Sequence, residues 1–131
     1  MVVSLNQIPK VANALFNELH EEEVDIVNEL YNACEKQDVA EADKLMDLLF
    51  YHLEEHFSTE ERLMREAGFF AYPMHKAEHD SMRKAFGELY ERWKSEKDTK
   101  AVMDFIKERF VPWFILHIAT FDTATAMHIG D

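Results

Sequence analysis

The chain has 131 residues, 47% of them hydrophobic, with three Gly, three Pro and a formal net charge of −12. That length suits a single domain over residues 1–131, and so little Gly and Pro leaves too few turns for an all-β fold. The acidic surface repels phosphate backbones and anionic lipid, which argues against nucleic-acid and membrane partners.

A lone cysteine, Cys34, rules out an intrachain disulfide and fits a reducing, cytoplasmic setting. The opening residues, MVVSLNQIPK, lack the pattern of a signal peptide, and no apolar run reaches the length of a membrane span.

The first predicted helix starts near Pro9, which is harmless in a first turn, with Asn6 as candidate cap. From Val11 and Leu15 through Leu19, Val27 and Leu30 to Cys34, apolar residues recur at steps of three and four, the mark of one helical face. His20 and Glu23 fall inside that stripe. Burying a carboxylate is costly unless it is paired or near a metal. Glu23 therefore either reaches water from the edge of the stripe or belongs to a site.

A short polar link leads to a second helix, from about Ala40 to Ala67. Its stripe is Leu45, Leu49, Leu53, His56, Glu60 and Leu63, with Phe50, Phe57 and Met64 alongside. Glu54, Glu55, Glu61, Arg62, Arg65 and Glu66 read as its solvated face. His52, one turn before His56, reads as a partly exposed bystander. Gly68 suits the left-handed residue that ends a helix.

Pro73 opens the third helix, which runs to about Lys97 with His75, His79, Met82, Phe86, Leu89 and Trp93 inward. After the polar link SEKDT, the fourth starts near Lys100 or Ala101. Pro112 predicts a kink or restart in it. Further on, His117 lies inward and Asp122 follows five residues later. A widened, π-type turn or the carboxylate's own reach would bring both to one place. His128, near the end, receives no role.

Amphipathic helices with short connections predict an all-α, up-down-up-down antiparallel four-helix bundle. Each helix then sends metal-type side chains inward: His20 from the first, His56 and Glu60 from the second, His75 and His79 from the third, His117 and Asp122 from the fourth. Without a metal, several of these groups would stay unpaired at about 1–3 kcal/mol each. Such a sum would consume a typical folding stability. Seven donors exceed one tetrahedral zinc site and are too rich in nitrogen for magnesium or calcium. Two iron ions fit best, with manganese or mixed loading left open.

The order His, His-x-x-x-Glu, His-x-x-x-His, His-x-x-x-x-Asp, with the stretches HFSTEERLM, HKAEH and WFILHI, resembles the hemerythrins, including their bacterial single-domain members. The likeness spans about residues 15 to 125. It implies that His75, His79 and His117 hold one iron and His20 and His56 the other. Glu60 and Asp122 would bridge the Fe2+/Fe3+ pair together with a solvent-derived oxo or hydroxo group. It further implies reversible O2 binding at an open position on the second iron, for storage, delivery or scavenging rather than enzymatic turnover. Phe16, Val27, Phe57, Phe114 and Phe121 are candidates for the dry pocket lining that this needs.

The chain also departs from the family pattern. A tryptophan-bearing N-terminal arm is missing. Glu23 stands where an apolar residue is usual, His52 where a tyrosine is common, and Phe114 where a leucine often lines the pocket. As an extra ligand, or as a hydrogen-bond partner of the ligands, Glu23 would move the site toward redox chemistry. The alternatives are accordingly a diiron redox enzyme acting on peroxide or nitric oxide, and an iron- or O2-sensing module. Nothing in the pattern names a redox partner or an oligomeric state.

Overall fold

The computed structural model describes residues 1–130. Its frame is four helices: α1 (Ala14–Glu35), α2 (Val39–Glu66), α3 (Tyr72–Glu96), and α4, a continuous rod over residues 99–129. The links, residues 36–38, 67–71 and 97–98, are too short to do anything but reverse the chain. Successive helices therefore run antiparallel, α1 packs on α2 and α4, and α2 on α3. The expected up-down-up-down bundle is the one observed, with no strand among the described residues.

Capping chemistry sets the ends. The Asn13 side chain accepts a hydrogen bond from the Phe16 N–H, so α1 begins at Ala14 and not near Pro9. An oxygen that satisfies an orphan N–H outweighs the mere tolerance of proline. Asn6, the candidate cap, instead sits in a short 3-10 turn over Leu5–Gln7 that Ser4 caps. The arm leading to α1 is pinned where Asn17 exchanges hydrogen bonds with both backbone groups of Val11, each at 2.9 Å.

At the other end of α2, Gly68 adopts φ 63°. This lets the Phe69 N–H reach the Met64 carbonyl at 3.0 Å and the Gly68 N–H reach Arg65 at 3.1 Å, closing the helix. The sharp reversal places the N-terminal turn of α3 beside the C-terminal turns of α2, which brings His75 and His79 level with Glu60.

α4 contains two widened turns, at Ile106–Phe110 and Ile118–Asp122. The first ends at Phe110, and a new α segment, Val111–His117, begins with Pro112 in its first turn, the restart expected there. The second is the π-type turn anticipated between His117 and Asp122. The core around the bundle axis includes Phe16, Leu30, Leu49, Phe57, Trp93 and Phe114, all buried. Phe50, expected beside that core, is 46% exposed and stacks on Tyr90 at the rim, 4.5 Å between centroids. Among the described residues, no helix is long and apolar enough to cross a membrane.

Candidate metal centre

All seven inward donors are buried, none more than 2% exposed. On α2 and α3 the spacing of four stacks His56 over Glu60 and His75 over His79. On α4 the spacing is five, and the widened turn brings Asp122 back under His117.

The donors converge as two groups, within each of which one atom from every residue lies within 4.8 Å of the others. One group is His75, His79, His117, Glu60 and Asp122; the other is His20, His56, Glu60 and Asp122. The two carboxylates are common to both, and their oxygens divide between them. Glu60 Oε1 is 3.2 Å from His79 Nε2 and 3.4 Å from His75 Nε2. Its Oε2 is 2.6 Å from His56 Nε2 and 3.5 Å from His20 Nε2. Asp122 Oδ1 is 2.9 Å from His75 Nε2 and 3.2 Å from His117 Nε2, while its Oδ2 is 2.8 Å from His20 Nε2.

Partners behind the rings fix which nitrogen points inward. Thr125 Oγ1 directs its own hydrogen toward Met64 Sδ and so accepts from His75 Nδ1–H at 2.7 Å. Glu61 accepts from His79 Nδ1–H at 2.8 Å, and Glu23 from His56 Nδ1–H at 2.9 Å. An imidazole with its proton on Nδ1 presents a bare lone pair at Nε2. The centre is therefore lined by lone pairs facing carboxylate oxygens, and His75 Nε2 and His117 Nε2 are only 3.1 Å apart. Glu60 Oε1, Asp122 Oδ1 and His79 Nε2 have no hydrogen-bond partner. Only positive charge placed among such atoms relieves them, so the donor set fits a pair of metal ions.

The same demand appears in the titration behaviour. Burial opposes charge on His75, yet the facing carboxylates of Asp122 and Glu60 outweigh it and raise its pKa to about 9. For His56, burial is likewise overcome by the charges of Glu23 and Glu60 and the pKa is raised well above the ordinary value. Burial pushes Glu60 up, but His56, His20 and His75 hold it well below the usual range. Asp122 is lowered too, its burial and the neighbouring Glu60 outweighed by the imidazoles of His117, His20 and His75 that face it.

Rings pack differently at the two ends. His79 stacks on Phe57 at 4.2 Å, and His117 lies between Trp113 at 4.5 Å and Phe121 at 5.5 Å, both stacked. His20 instead meets Phe16 and Phe114 edge to face, at 6.4 and 5.9 Å. Of the five candidates for pocket lining, then, Phe16 and Phe114 flank the two-imidazole end. Phe121 belongs to the three-imidazole end, Phe57 touches both, stacked on His79 and tilted against His56 at 5.2 Å, and Val27 is buried core.

Two readings of the sequence change, at His52 and Glu61, and the choice left open at Glu23 is decided. Glu23 is fully buried and does not reach water from the stripe's edge. It lies outside both donor groups and touches the Nδ1 side of His56, so it acts on a donor instead of joining the set. Burial raises its pKa, but His56 and His52 more than offset this and lower it. His52, taken as a bystander, is 9% exposed and donates its Nδ1–H to the same Glu23 oxygen at 3.0 Å.

Glu61, assigned to the solvated face, is 5% exposed and held between His79 and Arg83. Thr125, on the inward face of the fourth helix, had been given no role. A spacing signal existed for two of these: His52 lies one turn before His56, and Thr125 one turn after Asp122.

Residues 11–125 match the family described as the hemerythrin HHE cation binding domain. The chain is 53% identical over 131 residues to a bacteriohemerythrin of Aquifex aeolicus, covering 100% of both chains. A bacteriohemerythrin of Methylococcus capsulatus is 29% identical over 104 residues, 79% of this chain and 77% of that one. A crystal structure of wild-type hemerythrin shares the fold with a TM-score of 0.80 at 22% identity, covering 100% of this chain and 98% of that one.

Proposed function

The chain belongs to the hemerythrin family, and on that premise we infer that it is a non-heme diiron protein that binds O2. The observation that carries this reading is the division of the Glu60 and Asp122 oxygens between the two donor groups. In it, His75, His79 and His117 would hold one iron, His20 and His56 the other, and Glu60 and Asp122 would serve both. Iron bound there in the ferrous state would supply the two electrons that reversible O2 binding needs.

The protein's own part is placement and exclusion. Thr125, Glu61 and Glu23 hold His75, His79 and His56 in the tautomer that turns Nε2 inward. Three imidazoles crowd one end and two the other, so the His20 and His56 end keeps room for a small ligand. Phe16 and Phe114, both buried, put apolar edges against His20 and keep water from that end. Storage, delivery or scavenging of O2 by a single cytoplasmic domain over residues 1–131 fits this reading. The net charge of −12 sets nucleic acid and membrane aside as partners.

Purified protein should contain iron at two ions per chain. Its visible charge-transfer band should form in air, fade under argon and return in air. A band that forms once and needs added reductant before it can form again would overturn reversible carriage. The buried Glu23 favours one second reading, a diiron redox enzyme acting on peroxide or nitric oxide. Steady peroxide turnover that disappears in Glu23→Leu would establish it over the first.

A further inference from the structure

Two carboxylates accept a hydrogen bond from the outer nitrogen of a donor ring, one at each end, and they differ in what balances them; Glu78, partly exposed, only nears His117 Nδ1 at 3.5 Å. Glu61 accepts from His79 and is also gripped by the Arg83 guanidinium, at 2.7 Å through Nη1 and 3.2 Å through Nη2. Arg83 is a permanent cation and is joined in turn to Glu54 and Asp80. The field of Glu61 at His79 is thus largely offset before it reaches the centre.

Glu23 has no such partner. Its Oε1 accepts from both His56 Nδ1 and His52 Nδ1, its Oε2 has no hydrogen-bond partner, and the residue is fully buried. The His52 ring is satisfied at Nδ1 alone, its Nε2 also being unpartnered. Two imidazole N–H groups orient the carboxylate without cancelling it. A buried anion one ring away from a metal position strengthens that ring as a donor and favours the more positive metal state.

Building on the diiron reading above, we propose that Glu23, positioned by His52, makes the His20 and His56 end the electron-rich half of the centre. Glu23 is a positioning residue that acts through His56, and Glu61 is its electrostatically muted counterpart at the other end. The arrangement tightens the ion held at the less crowded end, where imidazoles are fewer, and lowers the potential at which it is oxidised. The two metal positions are consequently unequal for a reason that lies outside the donor set.

The test is a Co2+ titration of metal-free protein, followed by absorption, with the reduction potential of the iron-loaded form measured alongside. Wild type should take up two Co2+. Glu23→Gln keeps shape and an acceptor but removes the charge. It should weaken one of the two equivalents by about 10–100-fold, leave the other unchanged, and raise the iron potential. Glu23→Asp, which keeps the charge but shortens the reach, should weaken the same equivalent by less. Glu61→Gln should weaken the other equivalent and move the potential less than Glu23→Gln does.

The proposal is overturned if Glu23→Gln binds both Co2+ like wild type with the potential unmoved. It is also overturned if both equivalents weaken together with a lower melting temperature of the metal-free protein, the mark of a purely structural role. Wild type that binds fewer than two Co2+ overturns the diiron reading itself, and the proposal with it.

Discussion

The two ends of the centre solve one problem in two environments. At the His75, His79 and His117 end, rings are clamped by stacking against Phe57, Trp113 and Phe121, and the carboxylate behind them is tied to a cation at the rim. At the His20 and His56 end, stacking is replaced by edge contacts and the carboxylate lies wholly inside the protein. The first arrangement fixes geometry. The second leaves charge in a place of low dielectric, where it acts most strongly on its neighbours. A carboxylate behind an imidazole therefore has no fixed meaning: its influence depends on what else it touches.

The severest way to break the comparison is to remove a residue that serves both ends. Asp122→Ala should abolish binding at both positions, with iron per chain falling from two to none by elemental analysis. The widened turn would remain, since backbone rather than the carboxylate forms it. Next in size is removal of the metal itself. With free metal held at 100 times its dissociation constant, binding to the folded state alone contributes about 2.7 kcal/mol. Chelation should therefore lower the melting temperature, and readdition of Fe2+ under argon should restore it.

A smaller effect sharpens the contrast. Arg83→Met removes the cation from Glu61 but leaves the Glu61 contact to His79 in place. It should push the three-imidazole end toward the electron-rich condition of the other, lowering the iron potential by less than Glu23→Gln raises it. The smallest prediction concerns burial without a partner. Cys34 is buried like Glu23, but desolvation alone acts on it and pushes its thiol up to about 11. Because the thiolate is the reactive form, alkylation by iodoacetamide at pH 8 should be slow and should quicken as pH rises toward that value. Mass spectrometry of the labelled protein reads this directly.

Most of the centre was legible because its donors obey helical period. His56 and Glu60, and His75 and His79, are stacked by a spacing of four, and any chain that forms these helices must aim each pair one way. Asp122 was harder, since five residues after His117 is the wrong phase for a regular helix and required a widened turn to be supposed. Glu61 could not be read at all. It follows Glu60 by one residue and so points about 100° away, which a single helix assigns to solvent. Only His79 and Arg83, arriving from α3, turn that direction into an interior.

Glu23 was visible as an anomaly, but whether it touched metal, water or a ring depended on where α2 stood. The start of α1 was misplaced for a local reason, because an asparagine cap four residues beyond Pro9 competes better than the proline itself.

The widened turn at Ile118–Asp122 has a consequence for the length of the chain. In a regular helix the neighbours one turn beyond His117 are the residues three and four on, Thr120 and Phe121; the widened turn keeps Phe121 against the ring face and lets Asp122, five on, reach its Nε2. A chain one residue shorter in that stretch would close into an unbroken ladder and still deliver an acid at the right height. That acid would, however, take the position four residues on that Phe121 now holds, so the irregular backbone is what lets Phe121 and Asp122 both meet the His117 ring.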